Sequence, residues 1–371
     1  MKHLTEYRDA RLVKQLLERL RKTVSKKWHI MEVCGGQTHG LVRHGILDML
    51  PPEISMIHGP GCPVCVTPVS HIDTAVSLAL DHNVILCSFG DMLRVPGSSG
   101  SLLQARAQGA DVRVVYAPYE AVQLAQQQPD REVVFFAVGF ETTAPANALS
   151  VLQAHQLGLK NYSLLTAHVL VPPAMTAIMS DPETRVNAFL AAGHVCAVSG
   201  MQVYEPFVKR WQVPVVVTGF EPVDLLQGIC SAAELLESSR AELVNQYRRA
   251  VHPEGNPFAI KTADAVFEKS SREWRGIGEI PESGLRLRSV WSAFDAFQKF
   301  GINPELPAAS TAAQQQQCRS GEVMKGLIKP AQCQYFGTGC TPETPLGAPM
   351  VSSEGACAAY YQYVGGWHHE S

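Results

Sequence analysis

The chain has 371 residues, 46% apolar and 18% charged, with a formal net charge of -3. That length allows two or three domains with cores of their own, and 31 basic against 34 acidic residues leave no basic footprint for nucleic acid or an anionic membrane surface. No apolar run approaches the roughly 20 residues that cross a bilayer, so a soluble protein is expected.

From Met1 to Lys27, Leu and Val recur at helical spacing among charges, without the apolar core or cleavage site of a secretory signal. This predicts an N-terminal helix and a cytoplasmic protein. Short apolar runs bounded by glycine or proline follow from residue 29 to residue 218: HIMEVC, VILCSF, VRVVY, VVFFAV, YSLLTAHVLV and VPVVVT. They read as buried parallel strands, and the stretches Ile72 to Leu80, Ser101 to Gln108, Ala146 to Leu157 and Val203 to Trp211 read as crossover helices. The class is α/β. Three runs close on similar tripeptides that place Asp91, Glu141 and Glu221 just past a strand, where α/β sheets bind ligands. Helix N-capping is the alternative for each acid.

Past residue 250 proline, glycine and short polar segments take over, and PELPAASTAAQQQQ at 304–317 reads as an extended linker before a small domain. The expected division is an α/β unit at 31–130, a second at 131–250, and a third domain in which residues 1–30 pack on 251–371, because the first helix has no strand partner of its own.

Ten cysteines in a cytoplasmic chain point to metal ligation or thiol chemistry rather than to a disulfide framework. Cys87, Cys196 and Cys230 stand singly in apolar surroundings and read as core residues. Cys318, Cys333, Cys340 and Cys357 are spaced by fourteen, six and sixteen residues in a segment too irregular for a large core. Four thiolates suit a tetrahedral zinc or a cubane iron-sulfur cluster, and the absence of paired C-x2-C knuckles favours the cluster. Cys62 and Cys65 lie in a turn built by Gly59, Pro60, Gly61 and Pro63, at a C-x-x-C spacing that permits a redox disulfide, a shared metal or half of a zinc knuckle. Cys34 opens CGGQTH directly after a strand, with Gly35 and Gly36 freeing the backbone to expose the thiol as a ligand. His39 is a candidate second ligand, proton relay or hydrogen-bond donor to small groups bound there, or else a structural histidine. For His168 and His194 the structural reading is preferred. Glu354, three residues before Cys357, is a candidate neighbour of the ligands or a surface cap.

Taken together and in this order, CGGQTH, GPGCPVC, GFETT at Gly139 to Thr143, AGHV at Ala192 to Val195, GFEP at Gly219 to Pro222 and the spaced quartet resemble the HypD family of hydrogenase maturation factors over nearly the whole chain. The resemblance implies two Rossmann-like parallel-sheet units and a small irregular C-terminal iron-sulfur domain. It implies a 4Fe-4S cluster on Cys318, Cys333, Cys340 and Cys357, and a nascent iron served by Cys34, Cys62 and Cys65. The implied role is a scaffold for the Fe(CN)2CO unit of nickel-iron hydrogenase, rather than a stand-alone turnover enzyme. A HypC-type small chaperone and a HypE-type cyanide donor would be partners, and a hydrogenase large-subunit precursor the recipient. One departure is Gln37, where some relatives carry His; glutamine bonds hydrogen but is a poor ligand. Two other readings compete: an iron-sulfur-dependent thiol-disulfide oxidoreductase, and a structural zinc scaffold.

Overall fold

The computed structural model describes residues 6–303 and 317–364. The expected linker, apart from Gln317, lies outside the described residues. Eleven strands are present among them: β1 Trp28–Glu32, β2 Ile54–His58, β3 Ile85–Ser88, β4 Val112–Val114, β5 Val133–Gly139, β6 Tyr162–His168, β7 Ala188–Ala192, β8 Val215–Thr218, β9 Leu243–Asn245, β10 Phe267–Trp274 and β11 Gly278–Leu287. The six expected strands are there, as are the four expected helices, within a few residues at their ends.

The architecture is α/β, with one parallel sheet ordered β2-β1-β7-β8-β9, a second ordered β4-β3-β5-β6, and the antiparallel hairpin β10-β11. Every residue of β3, β5, β6, β7 and β8 is buried. Helices cover both faces of such sheets, which is why these strands read as unbroken apolar runs. Each fully buried Val, Leu or Phe contributes roughly 1.5–3 kcal/mol of transfer free energy.

Strand pairing does not follow the division expected at residue 130. β1 and β2 join β7, β8 and β9, while β3 to β6 form the second sheet, so the first unit is made from two separate stretches of chain. Hydrophobic runs announce strands, but nothing in their pattern says which strands pair.

The N-terminal helix Ala10–Thr23 also departs from expectation. It packs on helix Pro222–Glu237 of the first sheet, not on the C-terminal region: Leu17 and Leu20 join Leu225, Leu226 and Ile229 in one core cluster. Arg19 donates to Glu234 Oε1 at 2.7 Å, and Trp28 Nε1 donates to Glu237 Oε1 at 2.7 Å. The apolar stripe found its partner in a helix that presents Leu and Ile at the same period.

The C-terminal region is short helices and turns. Its last described helix, Ala356–Tyr363, packs through Ala359 and Tyr360 on Val42 of helix Gly35–Arg43. Ala348 and Val351 pack instead with the core of the second sheet. No helix among the described residues is long and apolar enough to cross a membrane.

Candidate thiol and metal site

From β1 the chain moves outward to β2, and it later returns to β7 on the other flank of β1 and moves away through β8. The crevice past the carboxyl ends of β1 and β7 is therefore the topological switch point, where open α/β sheets bind ligands. Cys34 sits there, capping helix Gly35–Arg43. His194, in helix Gly193–Ser199 after β7, brings Nδ1 to 3.8 Å from Cys34 Sγ. Phe220, past β8, lies against His194 with ring centroids 5.1 Å apart and overlies Gly36. Contrary to the expectation that its two glycines expose the thiol, Cys34 is only 3% exposed, because Phe220 closes over Gly36 and Glu354 over Gly35. Burial pushes its thiol up to about 12, helped by Glu354 and Glu32, and burial lowers the His194 imidazole below its ordinary value. Without a ligand Cys34 is a protonated thiol beside a neutral imidazole, and metal binding there must release the proton. The sequence favours a structural role for His194; its place beside Cys34 follows only from the pairing of β1 and β7.

The second thiol segment presses directly on the first. A Cβ on Gly61 would stand 2.1 Å from the Cys34 nitrogen, and Gly35 N–H donates to Gly61 O at 3.0 Å. Only glycine allows that approach. Cys62 and Cys65 are joined by a disulfide with their Cα atoms 5.2 Å apart, on the short helix Pro63–Val66, and Cys65 N–H donates to Cys62 Sγ at 3.2 Å. A cavity of about 20 Å³, room for about one water, lies between this pair, His58 and Glu354.

Beneath both segments runs a buried polar chain. Glu32 Oε1 accepts from Thr38 Oγ1 and from His58 Nδ1, both at 2.6 Å, and its Oε2 accepts from Gly59 N–H at 3.3 Å. His58 Nε2 stands 2.9 Å from the Tyr360 hydroxyl, so the chain reaches the C-terminal helix. Sequence reasoning missed these residues. The signal existed for two of them, since a glutamate within HIMEV and a histidine closing ISMIH are polar groups in apolar strands and demand partners. Tyr360 carried none.

Gln37 is buried and donates through Nε2 to Ala191 O at 3.2 Å, fastening its helix to β7. That is a task of hydrogen bonding, not ligation. His39 turns away from Cys34, with Nδ1 at 3.2 Å from Ser353 O and Nε2 at 3.5 Å from the Tyr363 hydroxyl. His168 is buried, with Nε2 at 2.8 Å from Asn147 Nδ2. Glu354 lies over the start of the Cys34 helix: a Cβ on Gly35 would meet its Cβ at 2.5 Å. The three acids past the strands do not converge. Asp91 pairs with Arg94 at 3.6 Å, Glu221 pairs with Arg8 and stands at the N-cap of helix Pro222–Glu237, and Glu141 Oε1 accepts from Val171 N–H at 2.9 Å at the start of the more distant helix Val171–Ser180. Cys87, Cys196 and Cys230 are buried core residues, as expected.

Cys318, Cys333, Cys340 and Cys357 are all free and half-buried. The fold gathers them: burial, then the fields of Cys318, Cys340 and Cys333, raise the Cys357 thiol well above its ordinary value. Gly347 leaves room for Cys318, whose Sγ would lie 2.1 Å from a Cβ there, and Leu346 N–H donates to Cys340 Sγ at 3.4 Å. Among the described residues no three His, Cys, Asp or Glu side chains close on one point as a single ion requires. A tetrahedral zinc would need sulfurs roughly 3.8 Å apart. A cubane binds each thiolate through a different iron at its own corner, so it suits a wider set, and amide donors to sulfur are among the groups that tune it.

The family model of HypD, described as the hydrogenase formation hypA family, matches residues 11–364. The chain is 46% identical to the hydrogenase maturation factor HypD of Rhodobacter capsulatus, covering 98% of this chain and 99% of that protein. It is 46% identical to the HypD of Azotobacter vinelandii, covering 98% and 97%, and 44% identical to that of Escherichia coli strain K12, covering 98% of each chain. With the motif order, the two parallel sheets and these matches in agreement, the chain belongs to the HypD family of hydrogenase maturation factors.

Proposed function

We propose that the chain is a cytoplasmic scaffold on which the Fe(CN)2CO unit of nickel-iron hydrogenase is assembled. It works with a HypC-type chaperone and a HypE-type cyanide donor, and the finished unit passes to the large-subunit precursor. The iron is cargo here, received by Cys34 with Cys62 and Cys65. The observation that carries the reading is the position of Cys34 at the sheet's switch point, in glycine-mediated contact with the Cys62–Cys65 turn.

The chemistry suits that arrangement. Soft thiolates match a low-spin iron with strong-field diatomic ligands. The disulfide must open before Cys62 and Cys65 can bind metal, a step that consumes two electrons and two protons and yields two thiols. A 4Fe-4S cluster on the quartet would supply electrons one at a time. Cys318, Cys333, Cys340 and Cys357 hold it, and the free thiols and the amide donated to Cys340 support that assignment. His194, and not His39, is the imidazole beside Cys34, able to take up the proton displaced from its thiol.

A generic thiol-disulfide oxidoreductase would leave the Cys34–His194 pair without work, and a zinc scaffold would ask for a tighter sulfur set. The test is infrared spectroscopy of the chain co-purified with its small partner. Cyanide and carbonyl stretches are expected; their absence from a complex that contains iron overturns the proposal.

A further inference from the structure

The hairpin turn between β10 and β11 lies between the two thiol centres. Arg275 N–H donates to the carbonyl of Val66, the last residue of the Cys62–Cys65 helix, at 2.9 Å. On the other side the turn meets helix Ser320–Met324, just after Cys318: a Cβ on Gly321 would stand 2.2 Å from Gly276 O. Gly276 has φ +81, so the backbone turns here as only glycine does readily. The Arg275 guanidinium donates through Nη1 to Pro96 O at 3.0 Å. Its charged neighbours are Cys318 and Asp73; Asp73 Oδ1 accepts from Ser98 N–H at 2.7 Å, and its buried Oδ2 has no hydrogen-bond partner among the described residues. Burial lowers Arg275 below its ordinary value while Cys318 and then Asp73 act in the opposite sense. The other guanidinium beside the quartet, Arg319, is half-buried and spent on Glu322.

A cation withdrawn from water, with one carbonyl and one carboxylate beside it, is costly unless enough negative charge faces it. Four thiolates around an iron-sulfur core make such an anion, and it gains one more negative charge on reduction. We propose that Arg275 is the charge-compensating residue of the cluster, anchored in a turn that also holds the Cys62–Cys65 helix, and that it raises the potential at which the cluster accepts an electron. This rests on the reading of the quartet as cluster ligands. The side chain acts on the reduced state more than on the oxidised one, because the reduced cluster carries the larger negative charge, and net charge is a main determinant of cluster potential. No proton moves, since the guanidinium stays charged.

The test uses the full chain, reconstituted anaerobically with iron and sulfide, as wild type, Arg275→Gln and Arg275→Lys. Iron and sulfide are counted, folding is followed by circular dichroism, and the midpoint potential is measured by spectroelectrochemical titration of the visible band. Arg275→Gln should titrate at a more negative potential than wild type, and Arg275→Lys close to wild type. A folded glutamine variant that loads less cluster than the lysine variant also supports the proposal, because charge then decides retention. Equal potentials in wild type and Arg275→Gln overturn it. So does a lysine variant displaced as far as the glutamine one, or the failure of both variants to fold or load, since the side chain then matters for its shape alone. If the wild type itself takes up no cluster, the ligand assignment fails first, and this proposal falls with it.

Discussion

Cys34 is held in place by a parallel sheet, and Cys340 by turns. The first sulfur follows a buried strand, is backed by two glycine-mediated backbone contacts, and rests over the Glu32–His58 network, so its position is set whether or not a metal is bound. The quartet lies in a region of 3-10 turns and short helices with few buried apolar residues, where a bound cluster would contribute much of the order. On the proposed function, the centre that would accept and release cargo is built into the sheet, and the one that would keep its cofactor is built from turns.

The contrast can be broken most sharply at Cys340. Cys340→Ala should remove the visible absorption of anaerobically purified protein and between a quarter and all of its iron, and should loosen the C-terminal segment while leaving both sheets folded. Limited proteolysis and an iron assay check this; full colour in the variant would mean that Cys340 is no ligand.

A smaller effect is expected at the polar chain that joins the two regions. His58→Ala removes a partner from buried Glu32 and frees Tyr360 of the C-terminal helix, and should cost about 3 kcal/mol. Urea unfolding measures it, and a loss under about 1 kcal/mol would show that the chain does not couple the regions.

Glu141 offers a pH dependence confined to the sheets. Burial raises its carboxyl from the ordinary 4.5 to about 7. Its folded-state pKa is the higher one, so its contribution is complete below pH about 4.5 and is lost as pH rises through about 7. The loss is on the order of 3 kcal/mol. Unfolding free energies between pH 5 and 9 should decline in the wild type and flatten in Glu141→Gln; parallel curves would place Glu141 in water.

How much of this was legible follows from the same physics. VILCSF, VVFFAV and VPVVVT announce buried strands because β-branched and aromatic residues fill a sheet covered on both faces. AFLAA does not, yet it forms β7, the strand beside β1, where small residues are tolerated between two neighbours. With β7 unseen, the pairing that brings His194 to Cys34 was out of reach, and so was the split of the first sheet across the chain. The thiol motifs were readable because C-x-x-C and glycine-flanked cysteines carry their chemistry in their spacing. Arg275 was not, because it matters only through two segments far from it in sequence.

The most direct test of the scaffold reading is the infrared spectrum of Cys34→Ala in complex with the small partner. The loss of one buried sulfur should change stability by only about 1 kcal/mol, with the cluster absorption kept and the cyanide and carbonyl bands gone. Bands at wild-type intensity would contradict it, reduce Cys34 to a packing residue and move the iron to Cys62 and Cys65.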